Sequence, residues 1–249
     1  MCENNLLSVV CCYNNEDILN QCLLKTLEMQ QGQDYELHLV DNRKNIFANA
    51  PAALNSVKGR VKGKYVMFVH QDICFETEHD LADLVQELDK CANLGIAGVA
   101  GCAKSERFHV YSNITMGNIH RPNPAGTEQI AETTKAQTLD ECLLVIPNEL
   151  WQTEPFEERL NFWHLYGVEY SLRAQQLDRF VYIIPLRIHH MSEAASFDHR
   201  YYIALEKLFD LYRKREDLIS TTVGTWHRKP KGYYYIRAFA KWLKSRLGR

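Results

Sequence analysis

No CxxC pair, no repeat or low-complexity tract and no run approaching the roughly 18 apolar residues of a membrane-spanning helix occurs in this 249-residue chain. The N-terminus lacks a basic segment followed by an apolar core, so the expected location is the cytoplasm, at most attached to a membrane surface. Both phosphate-cradling glycine signatures are also missing. Asn14-Asn15-Glu16 stands where GxGxxG would follow the first strand, and GxxxxGK occurs nowhere. These absences argue against a Rossmann dinucleotide enzyme and a P-loop nucleotide hydrolase.

What is present has the size of one full α/β domain, or a slightly smaller one with a C-terminal appendage. The eight cysteines (Cys2, Cys11, Cys12, Cys22, Cys74, Cys91, Cys102, Cys142) have no regular spacing, and several lie in apolar runs. That usage fits a reducing compartment. Cys11 and Cys12 would point to opposite faces of a strand, which speaks against a shared metal or redox role. The net charge of −2 hides an asymmetry: the segment from Arg213 onward is dense in Arg and Lys, and the body carries the acidic excess. Such a body is not expected to bind nucleic acid.

Leu6 to Tyr13 is a near-continuous apolar run, followed by a helical pattern from Asp17 to Met29. A buried strand feeding a helix opens an α/β unit. Strands are expected at Tyr35–Asp41, Tyr65–His70, Ile96–Cys102, Leu139–Pro147 and Phe180–Leu186. Helices are expected at Ala48–Val57, His79–Cys91, Asn161–Gln176, Asp198–Arg215 and Tyr233–Leu247, with a weak pattern of turns between Lys104 and Ala136. The first three strands then carry Tyr13-Asn14, Asp41-Asn42 and Gln71-Asp72 at their C-terminal ends, the edge where open parallel sheets bind ligands.

The candidate chemistry lies in Asp41 and Asp72 at strand ends, Asp140 and Glu141 before a strand, Glu169 on a helix, and His189 or His190 in a later loop. Two carboxylates and an imidazole converging at a sheet edge can hold Mg²⁺ or Mn²⁺ against a diphosphate. Each also has a plain structural reading. Asp41 can be a loop acid, and Glu169 can pair with Arg173 one helical turn on.

Val9-Val-Cys-Cys-Tyr-Asn-Asn-Glu16, Leu39-Val-Asp-Asn42, Asn55 and Gly63-Lys-Tyr-Val-Met-Phe-Val-His-Gln-Asp72 together resemble the nucleotide-binding half of family 2 glycosyltransferases of the GT-A fold. The nearer resemblance is to a bacterial glycosyltransferase-like branch with His-Gln-Asp at the usual Asp-x-Asp position. Leu139-Asp-Glu-Cys-Leu-Leu-Val-Ile146, Phe162 to Arg173 and His189-His-Met-Ser192 resemble the acceptor half. The resemblance implies a mostly parallel α/β sheet flanked by helices. It also implies a GT-A domain over 1–212, with a nucleotide half near 6–102 and an acceptor half at 103–195, followed by a basic helical extension over 213–249. The implied reaction transfers a sugar, with inversion and metal assistance, from a nucleotide-sugar donor, UDP-linked by expectation, to a saccharide or lipid-linked acceptor. The alternative is a GT-A-like nucleotide or glycan binding protein without catalysis.

By the same resemblance Tyr13, Asn14 and Glu16 belong to the first nucleotide loop, Asp41 to the base or ribose, and Asp72 and His190 to the metal. His70 replaces the first acid of Asp-x-Asp and is expected to hydrogen-bond nucleotide or sugar. The usual base position reads Gly167, which leaves Glu169, or the pair Asp140 and Glu141, as the expected catalytic base. In the last helix Ile236, Phe239, Trp242, Leu243 and Leu247 recur at helical intervals between Arg237, Lys241, Lys244 and Arg246. Such a stripe suits residues 233–249 to peripheral membrane contact, and equally to packing on the body or on a second copy in a homo-oligomer.

Overall fold

The computed structural model describes residues 6–191, 198–213 and 215–247. Ser192, quoted above with His189-His-Met, lies outside them, as do Cys2 and the last two residues of the 233–249 segment. A seven-stranded sheet runs in the order Thr134–Lys135, Phe180–Ile183, Leu94–Gly98, Leu143–Pro147, Tyr65–Val69, Leu7–Tyr13 and Tyr35–Asp41. Leu7–Tyr13 pairs in parallel with both neighbours, and Leu143–Pro147 runs antiparallel between Tyr65–Val69 and Leu94–Gly98.

Alternation along the strands gives the sheet two apolar faces, each of which must be covered. Leu7, Val9, Cys11, Met67 and Val69 pack on one side with Leu19, Leu23, Leu27, Leu81, Leu84 and Leu88. Val10, Val66 and Phe68 pack on the other with Ala53, Leu54, Trp151, Tyr166 and Tyr170. Cys11 and Cys12 fall on opposite faces, and the cysteines among the described residues are free. The first helix starts at Glu16–Leu19, where the Asn15 side chain accepts from the Ile18 N–H, passes through a π-helical turn at Asn20–Leu24 and ends at Lys25–Leu27.

Two expected strands are broken, and both breaks shape the site. The run 96–102 divides at Val99, so that Ala100–Cys102 leaves the main sheet to pair with Thr138–Leu139 and Tyr111–Ser112. Glycines permit the crossing: a Cβ at Gly101 would collide with the Thr138 carbonyl. The run 139–147 divides at Asp140-Glu141, which turns both acids toward the ligand edge of the sheet. A four-stranded sheet then joins Ile73–Phe75, Ile188–His190, Thr115–Met116 and Asn123–Pro124, placing His190 opposite Ile73. His190 therefore sits on a strand where a loop was expected.

The extension expected to be helical begins instead with a hairpin, Leu218–Thr221 and Gly224–His227. The β-branched run Ile219 to Val223 favours strands over helix. Helices His199–Leu211 and Tyr233–Leu247 pack with this hairpin in a third apolar cluster that includes Leu165, Val168, Tyr201, Leu208, Ile219 and Tyr234. Among the described residues no helix is long and apolar enough to cross a membrane.

Candidate functional site

Two cavities meet at the C-terminal edge of the main sheet. The first, of about 370 Å³, is lined by Tyr13, Asn14, Asn42, Asn45, Gln71 and Asp72 together with Trp163, His164 and Tyr166. Gln71 fastens two of its walls: its carbonyl accepts from the backbone N–H groups of Asn14 and Asn15 at 3.0 Å, and its amide donates to Asn14 Oδ1 at 2.8 Å. The sequence places Gln71 at the ligand edge but shows no role for it, although it is the middle residue of His-Gln-Asp. Asn42 Oδ1 accepts from the Phe47 N–H at 2.8 Å and shapes the loop that follows the second strand.

Glu16 and Asp41, expected in the nucleotide site, do not line this cavity. Both are tied to Arg43, whose guanidinium also lies 5.5 Å from the Tyr13 ring centroid. Hydrogen bonds from Arg43 hold Asp41 down at about 2. A carboxylate saturated by an arginine two residues away is drawn from a ligand, so Asn42 and Asn45 present the polar groups here instead.

His70, Asp72 and His190 bring one ligand atom each within 4.8 Å of one another. His190 Nε2 lies 3.3 Å from Asp72 Oδ1, and the imidazoles of His70 and His190 are 5.9 Å apart at their centroids. His70 had been expected to touch nucleotide or sugar; geometry makes it the third member of a group able to hold a cation. Burial works against the charged forms of both His190 and Asp72, yet their mutual attraction prevails: His190 is raised and Asp72 lowered. His70 is lowered, chiefly by burial. A neutral His70 imidazole beside the ionised Asp72 carboxylate is a donor set a borderline divalent ion takes, and such an ion would displace the proton that Asp72 favours on His190, so the residues fit it. His189 faces away, with Nδ1 at 2.8 Å from Thr115 Oγ1 and Nε2 at 2.9 Å from the Gly117 carbonyl.

The second cavity, of about 420 Å³, shares His70, Trp163 and His164 with the first, and its wall includes His190, Asp140 and Glu141. Most of the remaining lining is apolar, including Val110, Ile114, Met116 and Val168. Thr221, Thr222 and Val223 reach it from the C-terminal hairpin. Asp140 is held at both oxygens: Oδ2 accepts from the Thr222 hydroxyl at 2.6 Å, and Oδ1 from the Cys142 N–H at 3.1 Å. Leu165, with φ of 64°, is a left-handed residue at the helix entrance. Such conformations in residues other than glycine are costly and collect at functional sites.

Glu169 is not among these residues. It lines neither cavity, is 2% exposed, and shares its oxygens between Arg173 at 3.1 and 3.3 Å and the Tyr212 hydroxyl at 2.9 Å. Helical phase explains the displacement: Gly167 faces Glu141 and Leu144, while Glu169, two positions on, turns toward Tyr212.

A sequence model described as a glycosyltransferase-like family matches residues 8–211. A curated protein of Fuscovulum blasticum, "ATP synthase subunits region ORF 6", is 24% identical over 161 residues, which is 62% of each chain. GalNAc-T7 in complex with UDP, GalNAc and Mn²⁺ is similar in structure, with a TM-score of 0.63 at 11% identity, covering 86% of this chain and 49% of that one. S. aureus TarS 1-349 in complex with UDP-GlcNAc matches at a TM-score of 0.56 and 14% identity, over 96% of this chain and 72% of that one. Mannosyltransferase PcManGT from Pyrobaculum calidifontis, in complex with GDP-Man and Mn²⁺, matches at 0.56 and 12% identity, over 94% and 69%. The chain thus spans 62% of the curated relative and about half of the GalNAc-T7 chain. These structures share its large central sheet flanked by helices, which is the GT-A fold.

Proposed function

The chain belongs to the glycosyltransferase-like family, and from that premise we propose that it transfers a hexose or related sugar from a nucleoside-diphosphate donor to an acceptor hydroxyl. The observation that carries this reading is the junction of the two cavities. His70 lines both, Asp72 only the first and His190 only the second. A divalent ion held by these three would offset the negative charge that gathers on the departing diphosphate. The polar first cavity takes the nucleotide, with Asn14, Asn42 and Gln71 as its hydrogen-bonding groups. Two imidazoles with one carboxylate suit Mn²⁺ better than Mg²⁺, which prefers oxygen ligands.

The acceptor enters the second cavity and approaches the anomeric carbon from the side opposite the diphosphate. One carbon–oxygen bond forms as the other breaks, so configuration inverts. The acidic turn Asp140-Glu141 is where the hydroxyl proton can be received. The apolar wall favours an acceptor with an apolar portion beside its hydroxyl, such as a lipid-linked saccharide. Helix Tyr233–Leu247 buries Tyr234 and Ala238, leaves Ile236 71% and Phe239 62% exposed, and sets them beside Arg237, Lys244 and Arg246. That face suits peripheral contact with the cytoplasmic leaflet, close to such an acceptor.

Calorimetric titration of UDP, GDP and TDP, each with and without Mn²⁺, tests the donor reading in the wild type and in Asp72→Ala. The expected result is metal-dependent binding of UDP that weakens about 100-fold or more in the variant. Binding that ignores both Mn²⁺ and the substitution would remove the metal-assisted reading. No binding of any nucleotide would leave a protein that keeps the fold without the chemistry.

A further inference from the structure

Gly167 is the second residue of helix Tyr166–Gln176, and the space beside it is already filled. A Cβ built there would lie 3.3 Å from Glu141 Cγ and 3.0 Å from Leu144 Cδ1. The Glu141 side chain therefore occupies the room that a side chain at position 167 would need. It reaches that room from the turn ahead of strand Leu143–Pro147. Its Oε1 is buried without a hydrogen-bond partner, while the residue lines the second cavity, as His70 and His190 do. An unpartnered buried carboxylate oxygen is expensive unless it has a use. The other two acids differ: Asp140 is held at both oxygens, and Glu169 is locked to Arg173 and Tyr212.

We infer that Glu141 is the catalytic base of the transfer, delivered from the neighbouring turn into the space that Gly167 leaves at the start of the helix. This rests on the glycosyl-transfer reading above. The acceptor O–H proton passes to a Glu141 oxygen as the acceptor oxygen bonds to the anomeric carbon. The bond from that carbon to the β-phosphate oxygen breaks, its electron pair leaves on the diphosphate, and Glu141 later returns the proton to water. Burial, with the Asp140 charge beside it, pushes the Glu141 carboxyl up to about 8 against the pull of the Glu141, Gly167 and Leu165 backbone N–H groups, a basicity suited to accepting a proton near neutral pH. The groups that face it are Asp140, Cys142, Tyr166 and Tyr201. Burial raises the last three above their ordinary values, so they stay neutral across the range that matters.

The test uses the full chain with Mn²⁺ and measures UDP release from UDP-glucose, UDP-galactose and UDP-N-acetylglucosamine, alongside UDP binding by calorimetry. Glu141→Gln should lower kcat by about 10³-fold and leave UDP affinity within twofold. Glu141→Ala with Gly167→Asp should regain at least tenfold over Glu141→Ala alone, because the helix acid then fills the same room. Wild-type kcat/KM should rise with pH as the Glu141 carboxyl loses its proton, and the rise should move to lower pH in the double variant. Turnover by Glu141→Gln within threefold of wild type, with UDP still bound, overturns the assignment. Loss of UDP binding from the wild type would instead overturn the glycosyl-transfer reading, which separates the two failures.

Discussion

The two cavities are built in different ways. The first is made from the ends of neighbouring strands in one regular sheet, with Tyr13-Asn14, Asn42 and Gln71-Asp72 at or just beyond the ends of Leu7–Tyr13, Tyr35–Asp41 and Tyr65–Val69. The second collects Phe108, Val110, Ile114 and Met116, Asp140-Glu141, Leu165 and Val168, and then Thr221 to Val223 from a hairpin beyond the family match at 8–211. The first kind of site is fixed by local pattern, since a strand that is buried must end where the sheet ends. The second depends on which distant loops the fold brings together. Under the proposed reading, the loops of the second cavity can change without disturbing the strand ends that form the first.

Glu169→Gln gives the largest expected effect and would break this division if Glu169 served the acceptor. Burial pushes the Glu169 carboxyl upward, and Arg173 and Tyr212 pull it back only in part. Removing its charge leaves Arg173 with Glu154 and the Pro155 carbonyl as remaining partners. The expected loss in urea-unfolding stability is about 2 kcal/mol, that of weakened hydrogen bonds to a charged group, with kcat per folded molecule nearly unchanged. A kcat reduced by orders of magnitude in a protein of normal stability would return Glu169 to the catalytic centre.

The same contrast shows what was legible in the residues alone. The strands Leu7–Tyr13, Tyr35–Asp41 and Tyr65–Val69 and the polar residues at their ends could be read from apolar runs. The break at Val99 could not, because it is decided by the long-range pairing of Gly101 against Leu139; the β-branched residues of the 218–227 hairpin gave a local strand signal, but its place beside Gln137 did not show. His70 is expected from sequence to touch nucleotide or sugar because an uncharged imidazole replaces the first acid of Asp-x-Asp, and only the fold shows it within reach of Asp72 and His190 together. Glu169 sits at the right chain distance for a base, but only tertiary packing reveals which face of its helix meets Tyr212. Arg43 carried a usable signal, standing two residues after Asp41, where its guanidinium can reach the carboxylate.

A paired substitution sharpens the comparison at a smaller scale. Thr222→Val removes the hydroxyl that orients Asp140, and Gln71→Ala removes the amide that joins Asn14 and Asn15 to the turn after Tyr65–Val69. A hydrogen bond to a charged group contributes about 1.5 kcal/mol, or roughly tenfold. Thr222→Val should thus slow UDP release about tenfold and leave UDP affinity alone. Gln71→Ala should weaken UDP affinity by a similar factor with little change in kcat at saturating donor. If both variants shift both quantities together, the cavities are one coupled site rather than two.

The smallest effect concerns how the acceptor side meets its surroundings. In flotation with vesicles containing anionic lipid, Lys244→Gln should lower bound protein by roughly fivefold, the worth of one cation near such a surface. Ile236→Ser should lower it by a few-fold through lost apolar burial. On neutral vesicles only Ile236→Ser should still matter, because the electrostatic attraction is gone while the apolar one remains. Equal flotation of wild type and both variants would leave the exposed face of helix Tyr233–Leu247 to a second copy of the chain, which sedimentation would reveal as a dimer. In that case the acceptor cavity opens beside a protein interface, and the apolar portion of the acceptor has to reach it without help from the lipid surface.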